Sequence, residues 1–146
     1  MLNILDICSG SGLAAIGYHQ AGWNVVGVDI APQPRYPFRH IQADALQVLE
    51  DVEGIRSFFH AIHASPPCQL YSNATAPQRA AGKEYADLVA PIRERLMAIG
   101  LPWVMENVPT APIRADIVLY GYMFGLPVIR RRHFEIEGWW TMQPGI

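Results

Sequence analysis

One cysteine in this 146-residue sequence stands where a thiol has chemistry to do. Cys68 lies in Ala64-Ser65-Pro66-Pro67-Cys68-Gln69, after the apolar run 58–62 and before a polar segment rich in Ala, Gln and Asn. Proline has no amide hydrogen and a nearly fixed φ, so Pro66-Pro67 ends any sheet ladder and holds the backbone before Cys68 extended. A thiol carried past the end of a buried strand sits at the carboxyl edge of a sheet, where open α/β folds do their chemistry. There it is a candidate nucleophile. The same residue type also serves as a small buried packing group, and a Pro-Pro-Cys loop also serves merely to turn the chain. Acids close other apolar runs: Asp6 the first, Asp29 the second, and Glu106, in Glu106-Asn107-Val108-Pro109, a later one. Arg130-Arg131-Arg132-His133 is the only dense cationic cluster.

The elements that position these residues follow from periodicity and punctuation. Residues 2–7 read as a short buried strand, Cys8-Ser9-Gly10-Ser11-Gly12 as a glycine-rich turn, 13–21 as a helix stopped by Gly22, and 23–28 as a second strand ending in Asp29. Strand, glycine turn, helix, strand and terminal acid form the first half of a Rossmann-like nucleotide site, in which the acid accepts from ribose hydroxyls. Gly10-Ser11-Gly12-Leu13-Ala14-Ala15 also fits a dinucleotide pattern. Asp6 would repel a pyrophosphate but suits the cationic methionine part of S-adenosylmethionine, which favours the methyl donor; a solvated strand end or turn cap is its ordinary use. Residues 31–37 hold three prolines and read as a loop over the pocket. A third strand runs into a helix over about 46–55, and Asp44 between them suits either an adenine amino group or the helix N-cap. Residues 57–64 give a fourth strand, 71–82 a mobile loop, 83–99 a helix kinked at Pro91, and 101–108 a fifth strand. Residues 116–122 and 133–136 are weaker strands.

Length and composition bound the answer to one domain with one core. Cys8 and Cys68 are too far apart and too few for a disulfide framework or a zinc site. No apolar run is long enough to span a bilayer, and the first residues meet Asp6 without a basic start, so the expectation is a cytoplasmic protein without signal peptide, membrane or metal. A net charge of -2 excludes binding of nucleic acid by bulk charge and leaves the arginine cluster as a local patch.

Taken in order, Leu5-Asp6-Ile7-Cys8-Ser9-Gly10-Ser11-Gly12, Asp29, Asp44, Ser65-Pro66-Pro67-Cys68-Gln69, Glu106-Asn107-Val108 and Arg130-Arg131-Arg132 resemble the DNA (cytosine-5)-methyltransferase family over nearly the whole chain. The sequence is also similar to the compact cytosine methylases of bacteriophages of actinobacteria, which implies a bacterial or phage-infected cell and a place beside restriction-modification. The resemblance implies a Rossmann-like α/β fold, S-adenosylmethionine as cofactor and double-stranded DNA as partner. It implies that Cys68 attacks carbon 6 of a flipped-out cytosine, that Glu106 holds the ring nitrogen and amine, and that Arg132, with Arg130, contacts the ring carbonyl. The donor pocket it implies comprises Asp6, Cys8, Ser9, Gly10, Gly12, Leu13, Asp29, Ile30, Asp44, Ala45 and Pro66. Val128 and Ile129 stand where the family has a glutamine ahead of its arginines, and Asp29 where it more often has Glu. The chain closes at Gln143-Pro144-Gly145-Ile146 without the family's target-recognition region or final segment. Residues 1–146 are therefore expected to be the catalytic domain alone, its site completed by a further C-terminal segment or by self-association. Alone it is expected to grip DNA weakly and with little sequence preference. The alternatives are a relic that binds donor or DNA without turnover, RNA as the substrate, and an NAD-linked oxidoreductase.

Overall fold

The computed structural model describes residues 1–144. Among these, seven strands form one sheet: β1 (Leu2–Ile7), β2 (Trp23–Asp29), β3 (Arg39–Gln42), β4 (Ala61–Ala64), β5 (Trp103–Asn107), β6 (Ile117–Leu119) and β7 (Arg132–Glu137), in the order β3-β2-β1-β4-β5-β7-β6. β1 to β5 pair in parallel, and β7 runs antiparallel to both β5 and β6. This is the mostly parallel, Rossmann-like α/β sheet expected. Ile4 to Ile7, Val25, Val26, Val28 and the whole of β4 are buried, because strands covered on both faces by crossover helices are hydrophobic on both.

The helices lie unequally on the two faces. α1 (Leu13–Gln20) packs Ala15 over Ile4, Val25 and Ala61. The opposite face carries the larger core, where α2 (Ala45–Val48), α3 (Val52–Phe58) and α5 (Val89–Ile99) cover Leu5, Ile7, Val28, Ile62, Trp103 and Met105. α4 (Ala76–Ala80) follows the Cys68 loop. Arg93 of α5 donates to both oxygens of Glu135, at 2.9 and 2.7 Å, and fastens α5 to β7. Burial works to raise the Glu135 carboxyl, but Arg93 and the Arg114 amide outweigh it and hold the pKa below its ordinary value.

Several boundaries differ from the sequence reading. The single helix over 46–55 is two, because Asp44 caps α2 by accepting from Leu46 N–H at 2.7 Å, and Asp51 caps α3 by accepting from Gly54 N–H at 3.0 Å. α3 therefore takes residues 57 and 58 from the expected fourth strand. The helix expected over 83–99 begins only at Val89, whose N–H is held by Asp87 at 3.0 Å. Pro91 thus falls in the first turn, where a missing N–H leaves no bond unmade, and no kink is needed. The 71–82 segment, expected as a mobile loop, contains a 3-10 turn (Asn73–Thr75) and α4, and Arg79 Nη1 donates to the carbonyls of Gln69 and Ser72 at 2.8 Å each. Beyond β6, Gly121–Phe124 is a 3-10 turn where strand had been expected.

Candidate active site

The strand order reverses between β1 and β4, so the loops that follow those strands part and leave a crevice at the carboxyl edge. The first loop is the glycine turn. Cys8 and Gly10 have φ of 57° and 51°, in the left-handed region, and the turn is tied to β2 by Ser9 N–H on the Val28 carbonyl at 3.0 Å and Gly10 N–H on Asp29 Oδ2 at 2.9 Å. The other Asp29 oxygen accepts from Ala31 N–H at 2.9 Å. A Cβ on Gly10 would meet nothing within 4 Å, so the turn's outer side is open.

The second loop carries Cys68. Asn107, 1% exposed at the end of β5, donates from Nδ2 to the Pro66 carbonyl at 3.0 Å and accepts Val108 N–H on Oδ1 at 2.8 Å, locking the Pro-Pro turn to β5. Because β7 is antiparallel, with Glu106 opposite Phe134, its first residue lies beside the last residues of β5. Arg132 Nε there donates to Glu106 Oε1 at 2.8 Å. A cavity of about 410 Å³ opens among these groups, walled by Cys8, Asp29, Pro66, Cys68, Glu106 and Arg132. A groove of about 840 Å³ adjoins it, sharing Ser65, Glu106 and Arg132, and runs along α1 past Ser9, Gly10 and Leu13 to Arg130.

Of the residues singled out from the sequence, Cys68, Glu106, Arg132, Cys8, Asp29, Ile30 and Pro66 meet at the cavity, and Arg130, Ser9, Gly10 and Leu13 line the groove. Asp6, Gly12, Asp44 and Ala45 border neither. Asp6 is 1% exposed beneath Tyr36, whose hydroxyl donates to Oδ2 at 3.0 Å; the 31–37 loop has closed over the carboxylate expected to face the donor. A Cβ on Gly12 would lie 2.7 Å from Pro37 Cδ, so that glycine admits the loop rather than a ligand. Asp44 spends Oδ1 on the α2 amides, and Ala45 belongs to the core. The two thiols, Cys68 expected as nucleophile and Cys8 in the donor pocket, come to one cavity. Both reach the cavity wall, and both are half-buried.

Burial governs the electrostatics. It is the main cause of a raised pKa at Glu106, against which Arg132, the Ser65 hydroxyl and Arg130 act. Burial, then the carboxylates Asp29, Asp6 and Asp44, push the Cys8 thiol up to about 12. Burial also lifts Asp6 to about 7, although the Tyr36 hydroxyl opposes it, and drives His63 down to about 4. Tyr18, Tyr36, His63 and Ser65 were not assigned roles from the sequence. The signal was present for His63 and Ser65 as polar residues at the end of a continuous apolar run, but nothing local announces Tyr36, which lies 30 positions from Asp6. Among the described residues no cluster of His, Cys, Asp and Glu is placed to hold a metal, and no helix is long and apolar enough to cross a membrane.

No protein-family model and no curated protein matches the chain. Solved structures do. A hypothetical protein of Thermus thermophilus superposes with a TM-score of 0.58 at 17% identity, over 91% of this chain and 74% of its own. The bifunctional kinase-methyltransferase WbdD gives 0.54 at 14% identity, over 92% of this chain and 34% of its own. A SAM-dependent methyltransferase from Agrobacterium tumefaciens gives 0.46 at 21% identity, over 84% of this chain and 41% of its own. The chain thus spans about two-fifths of the Agrobacterium protein and a third of WbdD. With its parallel strands, its reversal between β1 and β4 and its antiparallel β7, the chain has a Rossmann-like α/β fold, shared with the Thermus protein and with part of WbdD.

Proposed function

We propose that this chain transfers a methyl group from S-adenosylmethionine to carbon 5 of a cytosine flipped out of DNA. The observation that carries the reading is the convergence of Cys68, Glu106 and Arg132 on one cavity that Asp29 and the glycine turn also reach. The residues present fit the donor. The buried Ser9 Oγ has no hydrogen-bond partner among the described residues, Gly10 leaves open space, and each Asp29 oxygen keeps a lone pair beyond its one amide. Cys8, Ser9, Gly10, Asp29, Ile30 and Pro66 would hold it. When bound it supplies a methyl group made electrophilic by its sulfonium.

The protein's own groups account for the rest. An aromatic carbon is a poor nucleophile, and addition of the Cys68 thiolate at carbon 6 makes carbon 5 enamine-like. Glu106, kept protonated more readily by its burial, donates to ring nitrogen 3 and accepts from the exocyclic amine, so that ring charge is neutralised as the thiolate adds. Arg132, already on Glu106, is within the same wall to contact the ring carbonyl. Loss of the carbon-5 proton to a base and elimination of Cys68 then restore the ring. Extruding the base costs a few kcal/mol, and Arg130 in the groove wall would contact a flanking phosphate.

Duplex DNA carrying 5-fluorocytosine tests this, because fluorine cannot leave as a proton does. With donor present the wild-type chain should form a covalent adduct that survives denaturation, and Cys68→Ser should form none. Failure of the wild type to form any adduct on DNA refutes the reading, while an adduct on RNA alone moves the substrate to RNA.

A further inference from the structure

Between β6 and β7 the chain makes a closed tip, residues 120–131, at the rim of the site. Gly121 N–H donates to the Ile129 carbonyl at 2.9 Å, Leu126 N–H to the Gly121 carbonyl at 3.2 Å and Gly125 N–H to the Tyr122 carbonyl at 3.1 Å. The Tyr120 and Tyr122 rings stack with centroids 5.2 Å apart, and a Cβ on Gly121 would lie 2.5 Å from the Val128 carbonyl oxygen, so the two arms touch. The tip is thus shaped by its own bonds. Yet Tyr122, Phe124, Leu126, Val128 and Ile129 all stand exposed on it. Large apolar side chains gathered this closely on a surface mark an interaction site.

Charge says what the patch meets. From Ile117 to Phe134 the sequence holds three arginines and no acid. The acids on either side are taken, Asp116 by Arg114 at 3.1 Å and Glu135 by Arg93 at 2.7 Å. Arg132 is held by Glu106, but Arg130 and Arg131 are exposed and have no carboxylate within ion-pair distance among the described residues. A hollow of about 170 Å³ in the tip, walled by Leu119, Phe124, Leu126 and Val128, shares Arg130, Arg132 and Phe134 with the groove that runs along α1. Glu106 is the sole carboxylate among the residues lining the two. A partner here meets unpaired guanidinium charge and apolar surface together, beside the cavity. Phosphate answers the first. Base faces answer the second, and they are uncovered where a base is drawn out of its stack.

We propose that the tip of the β6–β7 hairpin is a nucleic-acid-binding surface, on which Arg130 and Arg131 hold phosphates while Phe124 and Ile129 pack against the bases left unstacked where the cytosine departs. This rests on the reading of the cavity as a cytosine site, and it names the element that takes the vacated place. Apolar side chains that enter a base step keep a duplex kinked and partly unstacked.

The test is binding of the full chain, without donor, to a fluorescent mixed-sequence duplex over a range of salt concentrations, for wild type, Arg131→Ala and F124A/I129A. All three side chains are exposed, so the variants should unfold in urea with the wild type. A phosphate contact releases counterions and an apolar contact does not. Arg131→Ala should therefore weaken binding and flatten the plot of log affinity against log salt by about one unit of slope. F124A/I129A should weaken binding by about tenfold at every salt concentration and keep the wild-type slope. A duplex with 2-aminopurine beside each cytosine should brighten, as the base unstacks, on binding wild type and not on binding F124A/I129A. Wild-type affinity or a changed slope in F124A/I129A, an unchanged slope in Arg131→Ala, no brightening with wild type, or tighter binding to phosphatidylserine vesicles than to the duplex overturns the proposal. A failed fluorocytosine trap with the expected pattern intact would refute the proposed function and leave the surface standing, and a working trap with wild-type affinity in F124A/I129A would do the reverse.

Discussion

Cys8 and Cys68 share a cavity, and at Cys8 burial, with Asp29, Asp6 and Asp44 nearby, disfavours the thiolate. With its thiol held at about 12, Cys8 is ionised to only about one part in ten thousand at pH 8. Alkylation at that pH should therefore mark Cys68 at least tenfold faster, as peptide mapping after brief iodoacetamide treatment would reveal. Equal labelling would show that Cys8 is not held among carboxylates. Cys68→Ser should abolish adduct formation while Cys8→Ser spares most of it, because Cys8 contributes a wall and no bond. Arg132 is also discriminating at this scale. Arg132→Ala removes the nearest cation from Glu106, so methyl transfer should fall by about two orders of magnitude, with Arg132→Lys recovering part through charge alone. Identical losses in both would mean that the guanidinium matters for its shape.

At the scale of elements the site depends on β5 and β4 ending together. Asn107→Ala removes both the bond to the Pro66 carbonyl and the one from Val108 N–H. It should cost about 2 kcal/mol in urea unfolding and lower adduct formation by loosening the Cys68 loop. Loss of stability with an unchanged rate would show that the loop is held from elsewhere. The strands and their terminal acids were readable in the sequence because continuous apolar runs closed by Asp or Glu have few other uses. The glycine turn and the Pro-Pro-Cys loop were readable because each limits backbone angles locally. Helix boundaries were not, since the caps at Asp51 and Asp87 look like any surface acids until their amides are in place. Nor was the fate of Asp6. Its cover, Tyr36, comes from a proline-rich loop whose path over Gly12 and Gly27 is set by the absence of side chains on the strand and turn below.

For the whole molecule, two buried neighbours make opposing demands on pH. Asp6 binds its proton more tightly folded than unfolded, so its contribution to stability is complete below about pH 4 and is lost as pH rises through about 7. His63 binds its proton less tightly folded, so its contribution is complete above its ordinary 6.5 and is lost as pH falls through about 4. Between those limits the two slopes oppose one another. Asp6→Asn leaves the His63 slope alone, and unfolding free energy should then climb by up to about 3 kcal/mol from pH 4 to 6.5, where the wild type changes far less. The same profile in both proteins would mean that Asp6 is ionised in the folded chain.

The antiparallel course of β7 decides where the chain can lengthen without disturbing the site. β6 and β7 are a hairpin whose strands are clamped at Leu119 opposite Arg132 and by Gly121 N–H on the Ile129 carbonyl at 2.9 Å. Everything between leaves and rejoins the sheet at the rim of the cavity, and it exposes Phe124 and Ile129 at 63% and 71% beside the arginines. Doubling such a loop costs only about 0.6 kcal/mol in closure entropy. Insertions there would change what hangs over the cleft without moving Arg132.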